Sequence, residues 1–219
     1  MDFDFAIVWK YLPVLAKGAV TTVELTALAI VIGSVLGLFI ALASISKNWV
    51  VRSLARFYTW LIRGTPLLLQ LFVIYYGLPL QMGIKLSPFA AAVTGLSINS
   101  AAYIAEIIRA AIQSIDKGQM EAARSIGMSY FQAMMRIILP QAYRRMIPPL
   151  GNEFIALLKD SSLVATISMV DLMRTAQQMY ATTFRPMEIF LAAGALYLLL
   201  TTFFTVTFGR LERRLAVYD

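Results

Sequence analysis

Glu153 and Asp160 stand seven residues apart in an otherwise apolar stretch, with Lys159 beside the second. On a helix, at 100° per residue, seven residues bring the two carboxylates within about 20° of each other on one face. An uncompensated Asp or Lys at mid-membrane costs about 2.5–3.5 kcal/mol on insertion scales, so such groups face a cavity or a partner. Two carboxylates on a cavity would hold a cation, and the small Ala156 between them leaves room for a side chain. That chemistry suits arginine, lysine or protonated histidine. A structural reading stands beside it, in which Asp160 caps the break after the helix through Ser161, Ser162 and nearby backbone N–H groups while Lys159 neutralises one carboxylate. Ser161 is counted with the substrate candidates as the polar group next to Asp160. A second set comes from Thr94, Ser97 and Asn99, polar groups at mid-membrane depth. Thr94 and Ser97 share a face with Ala101, whereas Asn99 lies about 140° away with Gly95, Ala102 and Glu106. One face would bond a substrate's ammonium or carboxylate and the other would join helices. Thr94 and Ser97 are the favoured pocket residues.

Other chemistries are excluded by composition. With no cysteine and no histidine, the chain has no disulfide framework, no Cys or His nucleophile and base pair, and no ordinary zinc site. It also lacks a G-x-x-x-x-G-K-[ST] loop, so any ATP is hydrolysed elsewhere and no enzyme activity is expected.

The elements that must position these residues are membrane spans. Of 219 residues, 59% are hydrophobic and 14% charged, well away from the composition of a soluble domain. Uncharged runs cover 25–46, 64–84, 86–105 and 189–209, each long enough to cross a bilayer core of about 30 Å. A fifth span lies between Arg145 and Asp171, opened by Pro148-Pro149 and followed by a short re-entrant or broken segment over 161–180. The expectation is an all-α integral membrane protein of five transmembrane helices, a single domain over 1–219. Thirteen Lys and Arg residues fall on one face of that arrangement, so the net charge of +7 reports topology, with the N-terminus outside and the C-terminus cytoplasmic, and no nucleic-acid partner. Residues 1–17 read as an interfacial amphipathic helix in contact with lipid. Gly33 and Gly37 form a G-x-x-x-G suited to close helix approach. Glu106 and Arg109 are spaced to pair.

The largest segment outside the spans is the cytoplasmic loop at about 115–140. Asp116-Lys117-Gly118-Gln119 turns the chain, Met120, Ala123, Ile126 and Gly127 form one stripe of a short helix, and Gly127 ends it. A second helix over about Tyr130 to Leu139 follows, and Pro140 redirects the chain. Glu121-Ala122-Ala123, Gly127, Ile137 and Leu139-Pro140, at these spacings, resemble the EAA loop of permease subunits of ATP-binding-cassette importers. Arg63-Gly64-Thr65-Pro66-Leu67-Leu68, the stretch Tyr75 to Pro79, and Leu158 to Leu163 are similar to the polar amino acid uptake branch of those permeases. Read locally, Thr65 is a good N-cap and Pro66 suits a first helical turn.

The resemblance implies a type I importer fold: a permease subunit of the plasma (inner) membrane with a cytoplasmic coupling helix pair. It further implies a homodimer or a paralogous partner permease, ATPase subunits that bind ATP and magnesium, an external solute-binding protein, and an amino acid substrate. Glu121, Ala122, Ala123, Gly127, Leu139 and Pro140 would then carry ATPase coupling. Two rival classes are a proton-coupled secondary transporter using Glu153, Lys159 and Asp160 as a relay, and a membrane scaffold that recruits a cytosolic partner. Five spans with no internal repeat fit the first poorly, and a scaffold has no need of intramembrane carboxylates.

Overall fold

A computed structural model describes residues 3–215, and all regular structure among them is helical. Helix α1 (Phe5–Ser44) is the spine, a single helix of 40 residues. Of the segment expected as a separate interfacial helix over 1–17, residues 5–17 are continuous with it, Phe3 and Asp4 precede it, and residues 1 and 2 lie outside the described residues. Residue 18 brings no break, because Gly18 is where another element packs: a Cβ there would come within 2.9 Å of the Leu172 backbone. Helix α2 (Trp49–Arg63) is followed by α3 (Leu67–Phe72), which runs through a π turn at Val73–Gly77 into α4 (Leu78–Met82). Then come α5 (Pro88–Gln113), α6 (Lys117–Ser125), and α7 (Tyr130–Ala133), which continues through a second π turn at Met134–Ile138 into α8 (Leu139–Asp160). A 3-10 segment (Ser161–Ile167), α9 (Leu172–Thr183) and α10 (Pro186–Leu215) complete the chain.

Three buried clusters follow one another along α1. Leu15 and Ala19 meet Leu172, Ala176 and Ile189; Leu25 and Ala29 meet Leu71, Leu96 and Leu157; Ala41 meets Ile104, Ile112 and Ile138. The close approach of α1 to α5 comes from the expected G-x-x-x-G. A Cβ on Gly33 would stand 2.5 Å from Ser100 Oγ, and one on Gly37 2.9 Å from the Ala101 carbonyl oxygen.

Among the described residues three helices are long and apolar enough to cross a membrane: Phe5–Ser44, Pro88–Gln113 and Pro186–Arg214. Trp49–Arg63 and Leu67–Met82 are long and apolar enough for a fourth only taken together, as a pair bent by 101° at its break. Residues 49–63, which fall between the uncharged runs 25–46 and 64–84, therefore form a helix and not a loop. Helix α8, with 22 residues or about 33 Å of rise, is long enough to cross but carries five charged residues and is less apolar than those three helices.

Prolines account for where local reading and structure differ. Pro148 and Pro149 do not open α8 but sit inside it, and Pro140 does not redirect the chain, since the helix runs on from α7. Each π turn is followed directly by Leu-Pro, Leu78-Pro79 in one case and Leu139-Pro140 in the other. Proline lacks the N–H for the carbonyl four residues back and its ring crowds that carbonyl. The widened turn absorbs both defects, and the following leucine N–H reaches five residues back, Leu78 to Val73 and Leu139 to Met134. At the break after α2, Thr65 does not act as the N-cap of α3, which is Pro66. Its hydroxyl instead donates to the Leu61 carbonyl at 2.9 Å and closes the end of α2.

Candidate substrate path and coupling hairpin

The unbroken α8 carries Glu153 and Asp160 about 10.5 Å apart along its axis. Its buried side is Gly151, Phe154, Leu157 and Leu158. Gly151 admits the Phe208 ring, which lies 3.0 Å from where a Cβ would be, and the Phe154 ring packs on Phe204 and Phe208 with centroids 4.6 and 5.5 Å away. Packing against α10 fixes the rotation of α8 and leaves the carboxylates on its open side: Glu153 and Ala156 are half-buried, Asp160 exposed. Lys159 is exposed beside it. Asp160 makes no side-chain cap to the 3-10 segment, so the capping role is not the one it takes. Ser161 is withdrawn from this side: it is fully buried and its hydroxyl donates to the Leu158 carbonyl at 2.8 Å.

The polar groups of α5 differ in their partners. Asn99 is the residue that joins helices: its Nδ2 donates to Gln70 Oε1 at 3.2 Å. Gln70 in turn donates from Nε2 to the carbonyls of Ile62 and Thr65, at 2.8 and 3.1 Å. These three bonds tie both sides of the break between α2 and α3 to α5, so Asn99 is committed to structure. Ser97 is buried with no hydrogen-bond partner for its hydroxyl, and Thr94 is half-buried. Glu106 and Arg109 pair as expected, through Nε to Oε2 at 3.0 Å and a second contact from Nη2 to Oε1.

Beyond α5 the hairpin forms its first helix and turn near the expected positions, while its second helix runs on past Leu139 into α8. Asp116 caps α6 by accepting from the Gly118 N–H at 2.7 Å. Gly127, at φ +88°, closes it: its N–H bonds the Arg124 carbonyl while the Met128 N–H bonds the Ala123 carbonyl, the Schellman arrangement. Ser129 and Gln132 then form a reciprocal capping box that starts α7. Ala123 is buried and Leu139 half-buried against the cluster around Ile112, while Glu121, Ala122 and Pro140 are exposed. Ile126 departs from the expected stripe: it is 77% exposed, because α6 ends at Ser125 before the stripe can continue. The tip of the hairpin thus presents Glu121, Ala122 and an uncovered isoleucine.

Residues 6–217 match the family described as binding-protein-dependent transport system inner membrane component. The chain belongs to that family. It is 39% identical over 218 residues to the glutamine transport system permease protein GlnP of Escherichia coli (strain K12), covering 99% of this chain and 100% of the relative. It is 40% identical over 219 residues to the arginine transport system permease protein ArtQ of Bacillus subtilis (strain 168), covering all of both. Among solved structures, one described as an amino acid ABC transporter with histidines superposes at a TM-score of 0.94 with 45% identity, over 98% of this chain and 100% of that one. The methionine transporter MetNI in an inward-facing form shares the fold, at a TM-score of 0.78 and 19% identity. This inner membrane component is therefore an amino acid ABC importer permease, multi-pass and of the type I fold, and the family works with ATPase and substrate-binding partners.

Two features of the permease escaped sequence reasoning. Gln70 was legible as the one strongly polar side chain in Leu67 to Phe72. Asp171 read only as a span boundary. It is fully buried where α9 begins, accepting from the Arg174 N–H at 2.8 Å and from the Tyr197 hydroxyl at 3.3 Å. The neighbouring Leu172 N–H bonds Thr22 Oγ1 at 3.1 Å, so α1, α9 and α10 meet at one polar hub.

Proposed function

We propose that this permease carries basic amino acids, with arginine, lysine and protonated histidine as the class, and that Glu153 and Asp160 select them. The observation that supports this is the placement of both carboxylates, with Ala156 between them, on the side of α8 that its packing against α10 leaves open. Two carboxylates set about 10.5 Å apart can meet a cationic side chain at one and an α-ammonium at the other. Thr94 and the unpartnered Ser97 hydroxyl supply neutral polar contacts from α5. Relatives of nearly equal identity are named for glutamine and for arginine transport, and others for nopaline and octopine, so overall likeness leaves specificity to a few residues.

In this reading a loaded binding protein docks at the end opposite the hairpin, and ATP bound with magnesium closes two ATPase subunits. The α6–α7 hairpin transmits that closure to the spans, with Glu121, Ala122 and Gly127 at the contact. Ala123 and Leu139 seat the hairpin on its own helices, and the exposed Pro140 stands beside the contact. The subunit works as a homodimer or with a paralogous permease, its N-terminus outside and its C-terminus cytoplasmic. The deciding experiment is ATP-driven uptake in proteoliposomes of the reconstituted complex. Glu153→Gln lowers arginine uptake at least tenfold while leaving glutamine uptake within about twofold, one lost charge interaction being worth about 1.5–3 kcal/mol. An equal loss for both amino acids overturns the selectivity reading.

A further inference from the structure

Helix α2 carries a basic stripe that nothing in amino acid selection uses. Arg52, Arg56, Thr59 and Arg63 fall within about 60° around its axis, and the adjoining side exposes Trp49, Leu54, Phe57 and Trp60. Arg52 is occupied, donating to the Ser46 carbonyl at 3.0 Å. The other members face α5: Arg56, Thr59, Trp60, Arg63 and Gly64 enclose, with Glu106 and Arg109, a cleft of about 620 Å³.

Its charge does not balance. Three guanidiniums share one carboxylate, and Arg109 already engages both oxygens of Glu106. Arg63 stands 3.9 Å from Glu106 Oε1, at the outer limit of an ion pair, with its guanidinium 5.2 Å from the centre of the Tyr103 ring. Arg56 has no carboxylate within 4.0 Å among the described residues. The surplus is two positive charges beside an uncovered Trp60, which is 69% exposed and has the Phe57 ring 5.8 Å away. Tryptophan next to arginine on an amphipathic helix is the arrangement of a membrane interface, where the ring meets acyl chains and the guanidinium meets headgroups.

We propose that this cleft binds an oxyanion, the phosphodiester of an anionic lipid headgroup, held by Arg56 and Arg63 with Trp60 packed on the lipid's glycerol region. Guanidinium forks match phosphate oxygens two at a time, and basic clusters at a membrane edge recognise anionic headgroups. Free inorganic phosphate presents the same oxygens and is the alternative source. The test uses the whole importer, permease with its ATPase and binding protein, in phosphatidylcholine vesicles of increasing phosphatidylglycerol content. Wild-type uptake rises several-fold with phosphatidylglycerol; Arg56→Gln flattens that rise, Arg56→Lys keeps part of it, and Arg52→Gln follows the wild type. Native mass spectrometry of the folded complex gives a readout free of activity: wild type retains phosphatidylglycerol that Arg56→Gln loses. In pure phosphatidylcholine, added inorganic phosphate that reproduces the rise assigns the site to the free anion, and no effect assigns it to the lipid. A wild type indifferent to both, or an Arg56→Gln complex that keeps both the response and the bound lipid, overturns the proposal.

Discussion

Gly33 and Gly37 show how unequal two glycines of one motif can be. At Gly33 the nearest obstruction is a side-chain atom, Ser100 Oγ, 2.5 Å from where a Cβ would stand. At Gly37 it is backbone, the Ala101 carbonyl oxygen at 2.9 Å, with Ile104 Cβ at 3.0 Å. Gly37→Ala must therefore push α1 away from α5, and overpacking of that kind costs about 1–3 kcal/mol. Gly33→Ala loses less once Ser100→Ala removes the hydroxyl, whereas no single change on α5 restores Gly37→Ala. Thermal unfolding of the purified protein in detergent measures both, and equal rescue of the two would contradict the contact geometry. A second prediction concerns Asn99 and Gln70. A double-mutant cycle over Asn99→Ala and Gln70→Ala should give a coupling of about 0.6 kcal/mol, up to about 1.7, the range for bonds between membrane helices. A coupling of zero would remove the latch between α5 and the break after α2. Both residues were visible as polar outliers in apolar runs. Which of Thr94, Ser97 and Asn99 joined helices was not, because a helical face is fixed by spacing while the neighbour it meets comes from tertiary packing.

The hairpin's turns were the most readable elements, since a left-handed glycine, an aspartate cap and a serine box are chemical demands met within a few residues. The continuity from α7 into α8 was not readable. Pro140 was expected to turn the chain and Pro148-Pro149 to open a span; instead the helix widened by one residue ahead of Pro140 and ran on through Pro148 and Pro149. That extra residue has a consequence for coupling. In Met134–Ile138 it sets the rotation of the hairpin relative to α8, and Pro140→Ala restores the missing N–H and removes the ring clash that favours the widened turn. Relaxation to an ordinary α turn rotates everything before it by about 100°. Pro140→Ala should therefore assemble and keep its unfolding temperature within a few degrees. Stimulation of the ATPase by loaded binding protein should fall by more than half. Undiminished stimulation would show that the phase set by the π turn is irrelevant to coupling.

At the scale of the molecule, gaps between charges fell on the three long apolar helices and on the apolar half of the bent pair. Arginines interrupt 49–63 and keep it out of those uncharged runs, yet α2 is a helix whose apolar side is as uncovered as that of α10. Charge on one side of a helix does not report what its other side touches. Sidedness is the property of the whole chain that the distribution of Lys and Arg alone supports, and the absence of cysteine makes it directly measurable, since any introduced thiol is unique. Ser125 ends α6 and is exposed at the hairpin, while Phe184 is 76% exposed between α9 and α10 and sits at φ +53°. Asp4, at the start of α1, shares that far end, since its N–H bonds Glu188 Oε1 at 3.3 Å. In intact cells a membrane-impermeant maleimide should label Phe184→Cys at once and Ser125→Cys only after permeabilisation. The Phe184 exchange leaves a β-carbon where the native residue already has one, and both sites are exposed, so neither substitution opens a cavity. Labelling in the reverse order would invert the topology, moving the hairpin away from ATP and with it the proposed route from nucleotide to spans.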